Sequence, residues 1–365
     1  MKNKKVLIIS TVGLGYEGIT NVIVSNLRAM NKKGLDIYVA SSKNSEPDIE
    51  SILKKINCKI INFPDRNKHT FSYFFKLTKF IRKQKIDVVH ANGNSATLAI
   101  EMLAAKIGGC PKRIAHSHNT TCDHVKMDKM LRPLFYRTYT DAVACGIEAG
   151  NWLFPNRSFL VIPNGRNLSK FKFNKEKRKE VRKDLNLGNE IVIGHVGGFV
   201  SQKNHSFLLK IYSQLLEKNI PIKFFMIGDG EEREKIEQQS KELGFGNQLV
   251  FTGNVNNVED YLQAMDVMIF PSLFEGLPLS VLEWQISGLP VVMSNNITDE
   301  CILNDSVKRL PLSDGSRVWA QKTLDMVKQY RNKRELISKK SIHEAVIKKF
   351  DINVSSQMLR NEYMK

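Results

Sequence analysis

Two glutamates with seven residues between them, Glu275 and Glu283, have the residue type and placement to hold a hydroxylated ligand. They lie in the stretch from Asp266 to Ser294, DVMIFPSLFEGLPLSVLEWQISGLPVVMS. Glu283 shares a predicted helix with Leu279, Leu282 and Ile286, an apolar stripe that Val281 and Trp284 widen. A carboxylate on so apolar a helix needs a partner. A lysine or arginine would serve, and so would a ribose diol, because one carboxylate accepts two hydroxyl hydrogen bonds. Glu275 falls in a loop just past the first of two apolar runs, Val267–Phe270 and Pro290–Met293, that read as buried parallel strands. Ligands of open α/β sheets bind at that end of the strands. The helix starts near Pro278, a residue suited to a first helical position. Its N-terminus and the amides of Gly276 and Leu277 suit phosphate or sugar oxygens.

A cation comes from an earlier turn. The apolar run Ile191–Val196 leads into Gly197-Gly198-Phe199-Val200-Ser201-Gln202-Lys203. Glycines after a strand let backbone amides approach a phosphate, and a lysine adds charge. An ordinary strand–turn–helix with a solvated lysine has the same pattern. Two similar turns follow, Gly228-Asp229-Gly230 after Ile222–Ile227 and Gly253-Asn254-Val255 after Leu249–Thr252.

The elements that must position these residues are alternating strands and helices. In residues 1–165 the strands are expected at Val6–Ile9, Asp36–Ala40, Lys59–Phe63, Asp87–Ala91, Arg113–His116, Asp141–Cys145 and Leu160–Ile162, which makes a doubly wound α/β domain. Its first turn, Gly13-Leu14-Gly15-Tyr16-Glu17-Gly18, is a literal G-x-G-x-x-G. A dinucleotide site also wants an acid closing the second strand, and that strand ends in Ser41-Ser42 with Asp36 only at its start. The glycines therefore read as a flexible loop. The run His116-Ser117-His118-Asn119-Thr120-Thr121-Cys122-Asp123-His124 departs from the paired spacings of structural zinc, and structural histidines are the commoner reading.

The chain has 365 residues and a formal net charge of +18, enough for two domains and an anionic partner or surface. No helix-turn-helix, zinc-finger or RNP pattern argues for nucleic acid. Two stretches, Phe71–Lys85 and Lys126–Tyr139, interleave aromatics with lysine and arginine at helical spacing. They are candidates for an anionic membrane surface, against the plainer reading of amphipathic helices packed on a sheet. The start MKNKKVLIIS is too short in its apolar part for a signal segment and reads as a first strand. No run of about 18 apolar residues is present. Five scattered cysteines fit a reducing, cytoplasmic setting.

The two glutamates, the Gly276-Leu277-Pro278 that follows the first, the helix, Gly288-Leu289-Pro290 and the closing strand resemble the signature of family 4 glycosyltransferases. Ile114-Ala115-His116-Ser117-His118-Asn119 and Ser294–Glu300 are similar to its exopolysaccharide members. The resemblance implies the GT-B fold: two Rossmann-like doubly wound domains facing a cleft, 1–165 and 166–345, with a helix in 346–365 returning to the first. It implies retaining transfer of a hexose or N-acetylhexosamine from a nucleotide sugar, expected to be a UDP-sugar, to a lipid-linked surface-polysaccharide acceptor. The setting implied is cytoplasmic, peripheral on the inner face of the membrane. Glu275, His118 and Lys203 would act in catalysis, with His116 second to His118. Glu283, Lys203, Gly198, Gly15, Gly276, Leu277 and Val255 would bind the donor. No metal and no cofactor is implied, because Lys203 and backbone amides can carry the charge. Two positions depart from the family pattern: Gly198 stands where arginine is usual, and Asn167 where the usual Asn-Gly-x-Asp has its acid. Both fit an alternative, a non-catalytic subunit that serves a partner transferase or a complex.

Overall fold

The computed structural model describes residues 3–15, 18–41, 45–122 and 124–365. Tyr16, Glu17, Ser42 and Asp123 of the motifs above lie outside these. The chain divides into two compact units, one built from residues up to Arg166 together with Lys349–Lys365, the other from Asn167–Lys348.

The short apolar runs fold as parallel strands buried on both faces, as helix-covered parallel sheets require. Unit one has β1 (Lys4–Ser10), β2 (Leu35–Ser41), β3 (Lys59–Asn62), β4 (Val88–Gly93), β5 (Lys112–Ser117), β6 (Asp141–Ala144) and β7 (Leu160–Val161), in the order β3-β2-β1-β4-β5-β6-β7. Alternate residues of β1 feed separate cores: Leu7 and Ile9 pack with Tyr38, Leu77 and Met102, while Val6 and Ile8 pack with Ile23, Val39 and Leu359. The second core takes in the helix Ile352–Met364, which lies against the helix Gly18–Ala29. It is held at its start by Arg166 N donating to Phe350 O (2.7 Å) and Ile352 N donating to Arg166 O (3.0 Å). A Cβ at Gly165 would stand 2.6 Å from Ile352 Cα, so this approach needs glycine.

Unit two has β8 (Ile191–Val196), β9 (Ile222–Ile227), β10 (Leu249–Gly253), β11 (Val267–Phe270), β12 (Val291–Ser294) and β13 (Val307–Leu310), in the order β10-β9-β8-β11-β12-β13. The last of these falls in 295–312, a segment that the sequence alone reads as irregular, and corrects that reading. Its sequence, Val-Lys-Arg-Leu, carries charge because it is an edge strand, and edges favour such residues. One core fills the space between this sheet and the helices His205–Leu216 and Gly315–Tyr330, around Tyr212, Phe224 and Trp319. Asn167 caps the short helix Leu168–Phe171, its Oδ1 accepting from Lys170 N at 3.1 Å. Asparagine caps about as well as aspartate, so the departure at this position leaves the local fold intact.

Among the described residues no helix is long and apolar enough to cross a membrane, and the cysteines form no disulfide.

Candidate functional site

Strand order reverses in unit two between β8 and β11, and the loops leaving those two strands supply Lys203 and Glu275. Such a switch point is where α/β sheets open a ligand crevice. Three glycine turns build one wall. Gly197 N donates to Ile227 O (3.0 Å), Gly228 N to Gly253 O (3.0 Å) and Phe199 N to Asp229 O (2.9 Å). Gly228 has φ +138°, and a Cβ there would lie 2.1 Å from Gly197 O, so no other residue fits. Phe199 is fully buried and stacks on His205, ring centroids 4.2 Å apart, which pins the first turn to the helix below it. Burial holds His205 down to about 4, with the Lys203 charge adding to the effect, so this support carries no charge near neutrality.

The two loops are stitched together. Leu273 N donates to Gln202 O (2.9 Å), Gln202 Nε2 to Phe274 O (2.9 Å) and Asn204 Nδ2 to Pro271 O (3.2 Å). Asn204 takes the left-handed conformation, φ 57° and ψ 47°, that turns the chain into the next helix. The result brings Lys203 Nζ to 2.7 Å from Glu275 Oε1, with the ammonium also 5.0 Å from the centre of the Phe270 ring. Residues 72 apart in sequence thus form a charge-assisted hydrogen bond, their side chains only 18% and 9% exposed.

The helix after Glu275 runs Leu279–Ile286, with Pro278 at its N-cap instead of its first turn; ψ of 101° keeps Pro278 extended. Val281, Leu282, Trp284, Gln285 and Ile286 are buried, and Trp284 meets Phe270 edge-on at 5.2 Å. Leu279, Ser280 and Glu283 are left half-exposed, with Glu283 three and four residues after the other two, so Glu283 is on the side the core does not use. Gly276 and Leu277 are half-exposed in the connecting loop, and Val255 is half-exposed beyond β10. Among the described residues no three histidine, cysteine, aspartate or glutamate side chains converge as a metal site.

Gly198 is open. A Cβ there would touch only Asp229 O, at an ordinary 3.6 Å, and its φ lies outside the left-handed region. An arginine therefore fits without displacing backbone.

In unit one the order reverses between β1 and β4. Gly15 is half-exposed in the loop after β1, and Gly13 there has φ +86°. His118 follows β5 and is half-exposed, its Nε2 2.9 Å from Asn92 Oδ1; burial lowers it to about 4, Asn164 beside it offsetting part. His116 is 3% exposed and stacks between His118 and His90. His90, Asn92 and Tyr363 belong to this constellation, and the sequence reading did not single them out. The available signal was a histidine and an asparagine inside an otherwise apolar β4, whose Asn92 pairs in register with His116.

Comparison with known proteins bears on the family and the fold. The family model Glycosyltransferase Family 4 matches residues 16–170, and the family model Glycosyl transferases group 1 matches residues 177–341. EpsF of Bacillus subtilis is 28% identical over 341 residues, 89% of this chain and 88% of that one. The capsular polysaccharide biosynthesis glycosyltransferase CapH of Staphylococcus aureus is 25% identical over 359 residues, 93% of each. An Escherichia coli enzyme named UDP-Gal:alpha-D-GlcNAc-diphosphoundecaprenol alpha-1,3-galactosyltransferase is 30% identical over 246 residues, 63% of each. Anabaena HepE, solved in complex with UDP and glucose, superposes with a TM-score of 0.81 over the whole of both chains at 16% identity, a likeness of fold. With both halves matched and both sheets of the expected kind, the chain is a glycosyltransferase of family 4 with the GT-B fold.

Proposed function

We propose that the chain transfers a hexose or N-acetylhexosamine with retention from a UDP-sugar to a lipid-linked surface-polysaccharide acceptor, on the cytoplasmic side of the membrane. The observation that carries this reading is the 2.7 Å juxtaposition of Lys203 and Glu275 at the switch point of unit two. Lys203 and the amides of the glycine turns neutralise the leaving diphosphate, where developing charge is greatest. Glu275 orients the sugar hydroxyls, and Glu283 holds the ribose diol. A diphosphate oxygen takes the proton from the attacking acceptor hydroxyl, so the reaction needs neither a protein base nor a metal. The names of the relatives support a polysaccharide role: one is named for capsule synthesis and one for a diphosphoundecaprenol-linked acceptor.

Calorimetric titration with UDP, GDP and NAD in the absence of added metal tests the donor site. Selective binding of UDP is expected. Failure of every nucleotide to bind would favour a non-catalytic subunit, the reading to which Gly198 points.

The acceptor's lipid accounts for a feature of unit one. The helix Thr70–Gln84 buries Tyr73, Leu77 and Ile81 and half-buries Phe74, while Phe71 and Phe75 are 81% and 66% exposed beside Lys76, Lys79 and Lys83. The helix Val125–Phe135 leaves Met127, Met130 and Leu134 exposed beside Lys126 and Lys129. Aromatic and thioether groups set among lysines suit an anionic interface. The protein should sediment with phosphatidylglycerol vesicles and not with phosphatidylcholine ones. Phe71→Ser should weaken that binding about tenfold, and high salt should release it. Equal sedimentation with both lipids would remove the membrane from the proposal.

A further inference from the structure

The chain entering unit two, residues 169–177, helps to enclose a cavity of about 560 Å³, the size of a small-molecule site. Side chains from the helices Val258–Ala264 and Arg334–Ile347 complete it, and every lining residue belongs to unit two. Its floor is fixed by two buried side chains. Gln263 accepts from Asn174 N (3.0 Å) through Oε1 and donates to Lys172 O (3.2 Å) through Nε2, and Ser338 Oγ accepts from Phe173 N (3.1 Å). Asn174 Oδ1 accepts from Glu176 N (2.9 Å) and Lys177 N (3.0 Å), so the helix Lys175–Asp184 is already capped by the protein itself.

The charges around this cavity do not balance. Lys170 pairs with Glu259 (3.1 Å), Lys177 with Asp260 (3.8 Å) and Lys339 with Glu335 (2.8 Å). Among the described residues, the lining Lys172 and Lys175 have no carboxylate within ion-pair distance. Both still act on Glu335, which is held below the ordinary carboxylate range by the Lys339 hydrogen bond first and by Lys175 and Lys172 after it. Behind the floor a further cation is buried. Arg334, 3% exposed, donates to the carbonyls of Leu262, Gln263, Met265 and Ser287 at 2.7–3.0 Å, and its Nε–H has no acceptor. The carboxylate nearby, Asp266, is shared by Arg178 (2.6 Å), Arg182 (3.5 Å) and Arg331 (3.5 Å). Burial first, and then the Arg178 charge, presses Arg334 well below the usual arginine value. Its guanidinium lies 4.4 Å from the centre of the Phe173 ring, and Phe173 lines the cavity. A buried cation so poorly compensated favours an anion in the adjoining space.

Glu259 and Asp260 narrow the choice of anion. They repel a ligand that is charged at every end, and they accept hydrogen bonds from hydroxyls. The half-buried Phe173 adds a flat apolar surface. We propose that this cavity binds a sugar phosphate, with the phosphate on Lys172 and Lys175, the hydroxyls on Glu259 and Asp260, and the sugar ring against Phe173. The site is distinct from the Lys203–Glu275 pair. Arg178 and Arg334 gather on residues 262–266, which lead into β11, whereas Lys203 and Glu275 are on the loops that leave β8 and β11. It stands whether or not the proposed transfer reaction does.

Calorimetric titration of the full chain with glucose 6-phosphate, beside glucose and inorganic phosphate, tests the site. It is run in wild type and in Lys203→Ala, where the loops leaving β8 and β11 have lost their cation. Glucose 6-phosphate should bind both alike, and about tenfold or more tightly than glucose or phosphate alone. Lys172→Gln combined with Lys175→Gln should weaken that binding about tenfold or more. Both lysines are exposed, so the thermal midpoint of the double variant should match wild type. No heat from glucose 6-phosphate, or binding that ignores the double substitution, would overturn the site. Binding lost in Lys203→Ala would overturn it as well, by moving the ligand to the other loops. Phosphate bound as tightly as glucose 6-phosphate would overturn the assignment to a sugar phosphate.

Discussion

Lys203→Ala is expected to lower turnover by about 10²–10³-fold, the range found when one preorganised donor to developing charge is removed. The loops leaving β8 and β11, residues 197–204 and 271–278, hold no other lysine or arginine, so nothing on them replaces the charge. Where an arginine would share the work, this chain has Gly198. The substitution also leaves the Glu275 side chain, 9% exposed, without its 2.7 Å ammonium partner, which raises the cost of its charge in that place. Steady-state kinetics with and without Gly198→Arg in the same background decide the matter. Recovery of part of the loss by the arginine means that the two positions serve one diphosphate. Turnover unchanged by Lys203→Ala would mean that the charge is met elsewhere in the chain.

The second large effect is a division of labour between the glutamates. Glu283→Gln should raise the Kd for UDP by about 10–100-fold, as loss of hydrogen bonds to a charged acceptor predicts, 1.5–3 kcal/mol. Glu275→Gln should leave UDP affinity within about threefold and lower turnover by about 10²-fold, because the role proposed for it is toward the sugar that UDP lacks. Calorimetry with UDP and initial rates with the sugar nucleotide separate the two. The same loss of UDP affinity in both variants would mean that the glutamates act as one site and not as ribose and sugar anchors.

Much of the architecture was legible because a parallel sheet buried on both faces writes its strands as plain apolar runs. β8, β9 and β11 lie where those runs lie, residue for residue. The exception, β13, sets two adjacent basic residues, Lys308 and Arg309, between Val307 and Leu310 and could not be told from a loop by apolarity alone. The helix carrying Glu283 was visible from its stripe, yet its start was off by one residue, since proline suits an N-cap as readily as a first turn. The resemblance implied separate roles for Lys203 and Glu275, and their contact was not legible in the sequence. The contact depends on three hydrogen bonds from Gln202, Asn204 and Leu273, residues with no chemistry of their own. At the start of Phe71–Lys85 the exposed aromatics are Phe71 and Phe75, because Phe74 turns inward to meet the core. Least legible was the histidine chain. Its members are 26 and 273 residues apart along the sequence, and a lone histidine in a strand carries no mark of its partners.

Unit one is discontinuous, and this has a consequence for the order in which the protein is made. A ribosome completes Asn167–Lys348 before it reaches the helix Ile352–Met364. The first unit to be started is therefore the second to be finished. Until that helix docks, Leu359 and Tyr363 are missing from one of the two cores beneath β1, and His90 faces water in place of a phenol. Nascent chains usually consolidate their leading domain first. Here the leading domain waits, about 180 residues long in translation, for a thirteen-residue helix. A chain stalled or cut before residue 352 would carry a finished second unit and a first unit still open along one face.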